Sequence, residues 1–105
     1  MNEEEQRILQ MVIQGGDARC AAMEAIEAAR EGKFGQAAIL LERSSQTLAY
    51  AYSAQTDMFQ KELGKERGSV SLLMVHAQDH LMGAITVRDL AREIVELYRR
   101  EERER

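Results

Sequence analysis

No proline occurs in the 105 residues, and that absence constrains the fold more than any other feature. Proline is the residue that breaks a helix interior outright, because it lacks an amide donor and collides with the preceding turn. Only glycine is left to punctuate this chain. It gathers at Gly15-Gly16, at Gly32 and Gly35, and at Gly64 and Gly68, with Gly83 standing alone. Between these points apolar residues recur in steps of three and four, the period of a helix. The pattern predicts an all-α chain, one domain over 1–105, with helices over about 3–31, 34–63 and 70–100.

The first stretch carries Leu9, Val12, Gly16, Cys20, Met23 and Ile26 as its expected inner stripe. Glu3, Glu4 and Glu5 suit the positive end of its helix dipole. Gly15-Gly16 should cost about 1 kcal/mol each against alanine, and close approach of another helix is the natural compensation. Gly32 is placed as a helix stop. The second stretch aligns Phe34, Ala37, Leu41, Ser45, Leu48, Tyr52, Gln55, Phe59 and Leu63. Its polar members Ser45 and Gln55 must reach water or answer a neighbouring helix. After Gly64–Gly68, Ser69 is the expected N-cap. The third stretch turns Leu73, Ala77, Leu81, Ala84, Val87, Ala91, Ile94 and Tyr98 inward, with Val75, Asp79, Met82 and Thr86 on a second stripe. The tail over 99–105 alternates in sign and is expected to be solvated and frayed.

Short connections make such helices antiparallel neighbours, an up-down-up three-helix bundle. At about 1.5 Å per residue each helix would span about 42 to 50 Å. The stripes leave more apolar surface than one slender bundle covers, which predicts a homo-oligomer.

Composition removes several classes of function. Apolar residues make up 45% and charged residues 30%, the balance of a folded domain. A net charge of −4 provides no overall basic footprint for nucleic acid. The acidic start is unlike a secretory leader, and no apolar run is long enough to span a membrane. Cys20 is the single cysteine, so an internal disulfide is impossible. A cytoplasmic protein without membrane insertion is expected.

Chemistry concentrates in Val75-His76-Ala77-Gln78-Asp79-His80-Leu81-Met82, which holds both histidines of the chain. On a helix, residues three and four apart share a face, so His76, Asp79 and His80 come together. Three readings fit. His76 can be a phosphoryl acceptor, because an imidazole with an ordinary pKa of about 6.5 keeps a free lone pair near neutrality. His76 and His80 can chelate zinc, since an i, i+4 pair is a known ligand spacing. Or the chain is a structural bundle whose histidines are incidental. The spacing permits all three.

This stretch resembles the signature of the lactose/chitobiose (cellobiose) enzyme IIA family of the bacterial sugar phosphotransferase system. Gly16-Asp17-Ala18-Arg19, Gly32-Lys33-Phe34 with Ala37, Gln55-Thr56 and Glu96-Leu97-Tyr98 are similar to the family's pattern at matching places. Ala77 and Val70-Ser71-Leu72 look more like the cellobiose/chitobiose branch than the lactose branch. The resemblance implies a phosphocarrier that accepts a phosphoryl group on His76 from the histidine phosphocarrier protein. It would pass that group to a cysteine of the IIB component, for uptake of a disaccharide through IIC. It implies that Gln78 supports the phosphoryl site. It also implies a homotrimer in which Asp79 of three subunits holds a divalent cation on the threefold axis; hard oxygen ligands suit magnesium or calcium better than zinc, with magnesium favoured. His80 receives no role from the resemblance. Tyr52 departs from it, since the family commonly has a histidine there. Met74, Leu81 and Met82 are candidates for a surface that meets the partners.

Overall fold

The computed structural model describes residues 2–62 and 71–105. Three helices are present, α1 (Glu3–Arg30), α2 (Phe34–Glu62) and α3 (Leu72–Arg103). The molecule is a slender rod of 60 × 21 × 18 Å. Ser69 and the Gly64–Gly68 turn, with Leu63, lie outside the described residues.

Each described helix end has a local cause. The Asn2 side chain accepts a hydrogen bond from the Glu5 amide at 2.8 Å, capping α1. At its other end Gly32 takes φ +81°, a left-handed conformation that costs any residue with a Cβ. There the Gly32 amide donates to Ala29 O and the Lys33 amide to Ala28 O, the paired bonds of a Schellman stop. The cap of α3 is Ser71, whose hydroxyl accepts from the Met74 amide at 3.1 Å.

The core is stacked in layers along the rod. Ile8, Met11, Met58, Met74 and Ala77 close one end. Ala18, Leu48, Ala51, Leu81 and Ala84 fill the middle. Ala25, Ala28, Ala29, Ala37 and Val95 fill the other end, flanked by Phe34, Leu41 and Tyr98. These layers pair the start of α1 with the end of α2 and the start of α3, so the bundle runs up, down, up. α1 packs extensively on both neighbours, whereas α2 and α3 meet each other far less.

That central position corrects the expected face of α1. Its buried residues are Ile8, Met11, Gly15, Ala18, Ala21, Ala22, Ala25, Ala28 and Ala29. Leu9, Cys20 and Met23 are exposed, and Val12, Gly16 and Ile26 are only half-buried. A helix wedged between two others is best packed through small side chains that let backbones approach. Beyond Ile8 and Met11, alanine therefore faces in and the bulkier stripe faces out.

On α2, Ala37, Leu48 and Gln55 are buried, but Tyr52 and Phe59 are exposed. Ser44, not Ser45, is the fully buried serine, and its hydroxyl donates to the Ala18 carbonyl at 2.7 Å. Ser45 does answer a neighbouring helix: its oxygen accepts from Arg88 Nη1 at 3.1 Å and Arg92 Nη2 at 3.2 Å.

Of the expected inner face of α3, Ala77, Leu81, Ala84 and Ala91 are buried, whereas Leu73, Val87, Ile94 and Tyr98 are half-buried and the unexpected Met74 and Val95 are buried. Its end does not fray where expected, since the helix continues through Arg103. Glu96 lies 3.9 Å from both Arg99 and Arg100 and 4.0 Å from Arg103. Such exposed pairs are individually weak, yet these arginines also oppose the negative end of the helix dipole.

Candidate functional site

Ala77 and Leu81, four residues apart and fully buried, fix the rotation of α3 around the site. With those two side chains turned inward, His76 and Asp79 are carried to the surface, and Gln78 and His80 to the half-buried flanks. The sequence spacing brought His76 and His80 to one face, and their rings stack there with centroids 5.9 Å apart and planes at 24°. Among the described residues no group of three or more His, Cys, Asp or Glu side chains could hold a metal.

His80 also touches α1. A Cβ built on Gly15 would come 3.2 Å from His80 Cδ2 and 3.8 Å from Leu81 Cα. One built on Gly16 would lie 3.6 Å from His80 Nε2. The close approach expected of the glycine pair is therefore real, and its chief occupant is an imidazole ring. Beside that contact runs a groove of about 600 Å³ along α1, lined among others by Arg19, Cys20, Met23, Arg30 and His80.

Beneath the site the core changes character. Gln55 is 3% exposed and its Nε2 has no hydrogen-bond partner; Oε1 of Gln78 has none either. The first amide is a donor on α2 and the second an acceptor on α3. By register, Gln55 falls between the end layer at Met58 and the middle layer at Ala51, and Gln78 adjoins Ala77. An orphaned buried polar atom costs about 1–3 kcal/mol, so this level of the bundle is less well satisfied than those around it.

Asp79 is exposed on the single chain. Its neighbours Val75 and Met82 and the more distant Leu72 and Leu90 are exposed as well. One copy of the chain thus offers one carboxylate on an uncovered apolar strip. A hard cation would fit these residues only where several copies bring their carboxylates together. Of the residues considered for meeting partners, Met74 and Leu81 are buried, and Met82 remains accessible. Tyr52 is exposed on α2, where its carbonyl accepts from Thr56 Oγ1 at 3.0 Å. Arg19 as a groove residue and Gly15 as a seat for His80 were not legible as site elements, because both depend on which face of α1 meets α3.

The model of the lactose/cellobiose-specific IIA subunit of the phosphotransferase system matches residues 6–99. The chain belongs to this family. It is 50% identical over 99 residues to the lichenan-specific phosphotransferase enzyme IIA component of Bacillus subtilis, covering 93% of this chain and 90% of that protein. The crystal structure of the cellobiose-specific enzyme IIA from Bacillus anthracis superposes with a TM-score of 0.90 at 39% identity, over 97% of this chain and 94% of that one. The chitobiose IIA of Escherichia coli, solved in complex with HPr, superposes at 0.84 with 31% identity over 97% and 99%. This IIA chain is accordingly a component of a sugar phosphotransferase system, and the three-helix bundle is the fold of its relatives. Among its described residues no helix is long and apolar enough to cross a membrane.

Proposed function

We propose that His76 is the phosphoryl acceptor of this IIA subunit, supplied by HPr, the histidine phosphocarrier, and discharged to a cysteine of a IIB component in the cytoplasm. The observation that carries the reading is the exposed His76 ring beside His80 on a rigid helix, where two successive partners can reach it. In the first step a ring nitrogen of His76 attacks phosphorus. The N–P bond of the carrier breaks, and its electron pair returns to the carrier's imidazole. In the second step a IIB thiolate attacks, the new N–P bond breaks, and a P–S bond forms. Transfer of this kind depends on positioning and charge stabilisation rather than on covalent chemistry by other groups. Gln78, half-buried on α3, is proposed as the supporting amide through its Nε2 donor, because phosphoryl oxygens accept hydrogen bonds. Cellobiose- or chitobiose-type β-linked disaccharides are favoured over lactose, in keeping with Ala77 and with the lichenan- and cellobiose-specific relatives.

The working unit is proposed to be a homotrimer, in which the exposed strip of Leu72, Val75, Met82 and Leu90 is covered and Asp79 from each copy meets a divalent cation, magnesium by ligand type. The cation would neutralise carboxylates brought together by assembly. It has no part in the transfer steps.

Supplying phosphoenolpyruvate, enzyme I and HPr should place an acid-labile, base-stable phosphate on the chain. His76→Gln should abolish it, while His80→Gln should retain label. Label that follows His80 instead would assign the wrong ring. Sedimentation equilibrium should give three times the 11.9 kDa chain mass; a monomer at micromolar concentration would remove both trimer and shared cation. Asp79→Leu should leave the trimer intact or tighter, because replacing all the converging charges together is often neutral or stabilising.

A further inference from the structure

Gly15 and Gly16 sit in the interior of a helix that runs unbroken from Glu3 to Arg30, a place where glycine is unfavourable compared with alanine. What the missing side chains admit is visible across the seam. A methyl on Gly15 would crowd His80 Cδ2 at 3.2 Å, and the α3 backbone close behind the ring limits where the ring can go, with His80 O and Leu81 Cα both 3.8 Å from that methyl. Gly16 leaves His80 Nε2 an ordinary contact at 3.6 Å. The same ring stacks on His76. His80 therefore has α1 on one side and the proposed acceptor on another.

We propose that the Gly15-Gly16 notch is a positioning device for phosphoryl transfer: it seats His80, and through the stack it sets the orientation of the His76 imidazole. This rests on the reading of His76 as acceptor. An exposed imidazole turns about two side-chain bonds, whereas in-line attack on phosphorus needs one ring nitrogen aimed at it. Restricting that rotation removes part of the entropy of reaching the transition state. His80 is a positioning residue here, and Gly15 acts one step further back, through His80.

The experiment compares Gly15→Ala, Gly16→Ala, His80→Ala and the double variant Gly15→Ala/His80→Ala. It measures the rate of transfer from phosphorylated HPr and the ring ¹H and ¹⁵N resonances of His76. Gly15→Ala should slow transfer about tenfold and shift the His76 resonances at unchanged helix content, with Gly16→Ala affecting both less. The double variant should be no slower than His80→Ala alone, because the methyl then has no ring to displace. Should Gly15→Ala fail to fold, the double variant should restore folding. Full-speed transfer by Gly15→Ala, multiplicative losses in the double variant, or no rescue of folding by it would each overturn the notch. Absence of phosphate on wild-type His76 would instead overturn the acceptor assignment itself.

Discussion

The two ends of the rod are built on opposite principles. At the end holding Ala25, Ala29, Ala37 and Val95 the polar groups are largely answered. Gly32 closes α1 with paired backbone bonds, the Arg99 guanidinium lies 5.8 Å from the centre of the Phe34 ring, and the last turns of α3 carry ion pairs around Glu96. Around residues 76–80 two amide atoms lack partners, two imidazoles share a surface, and Val75 and Met82 are uncovered. The first region is finished within one chain. The second leaves two buried amide atoms unanswered among the described residues and exposes an imidazole and apolar side chains at the surface. The contrast separates a region whose polar groups are answered within the chain from the region proposed to carry the transfer.

The largest effect expected from disturbing that contrast comes from Leu81→Ala. The side chain is fully buried directly under the site, and its loss should destabilise the fold by about 2–5 kcal/mol in urea titration. A smaller loss would mean that the middle layer can collapse around the gap. At the opposite end, Ala25→Leu should cost about 1–3 kcal/mol by overpacking an alanine seam, with no specific change in transfer per folded molecule. An unaltered melting curve would show that α1 is not packed as closely as its alanine face implies.

Gln55→Leu sharpens the comparison from the other direction. Removing a buried donor without a partner should leave stability unchanged or raise it by about 1 kcal/mol, as measured by thermal unfolding. A loss of more than that would mean the amide is satisfied after all and that the two ends are less different than described. The smallest effect belongs to Glu96→Gln, which weakens exposed ion pairs and should shift stability by no more than about 0.5 kcal/mol. Circular dichroism of the same variant would report whether the last turn of α3 depends on them.

Much of this molecule was readable from local chemistry. With no proline, and with glycine in clusters, three long helices were the natural outcome; Gly32 stopped the first because few other residues accept its φ. The inner stripe of α3 was legible because its large apolar residues and its alanines repeat together on one face. The face of α1 was not. There, hydrophobicity pointed to Leu9, Cys20 and Met23, while packing selected Ala18, Ala22 and Ala25. Periodicity states how often a face returns, but a face rich in alanine and a face rich in larger residues return equally often.

What the sequence alone determined, then, was the set of elements and the eight-residue stretch that gathers both histidines, since helix punctuation and i, i+4 spacing are properties of the chain itself. Tertiary structure decided the rotation of each helix about its axis. That rotation placed Gly15 beneath His80, left Asp79 on the surface of the single chain, and set Gln55 at a polar level between two apolar layers. It depends on which side chains let three backbones come closest, a quantity no single stretch of the chain contains.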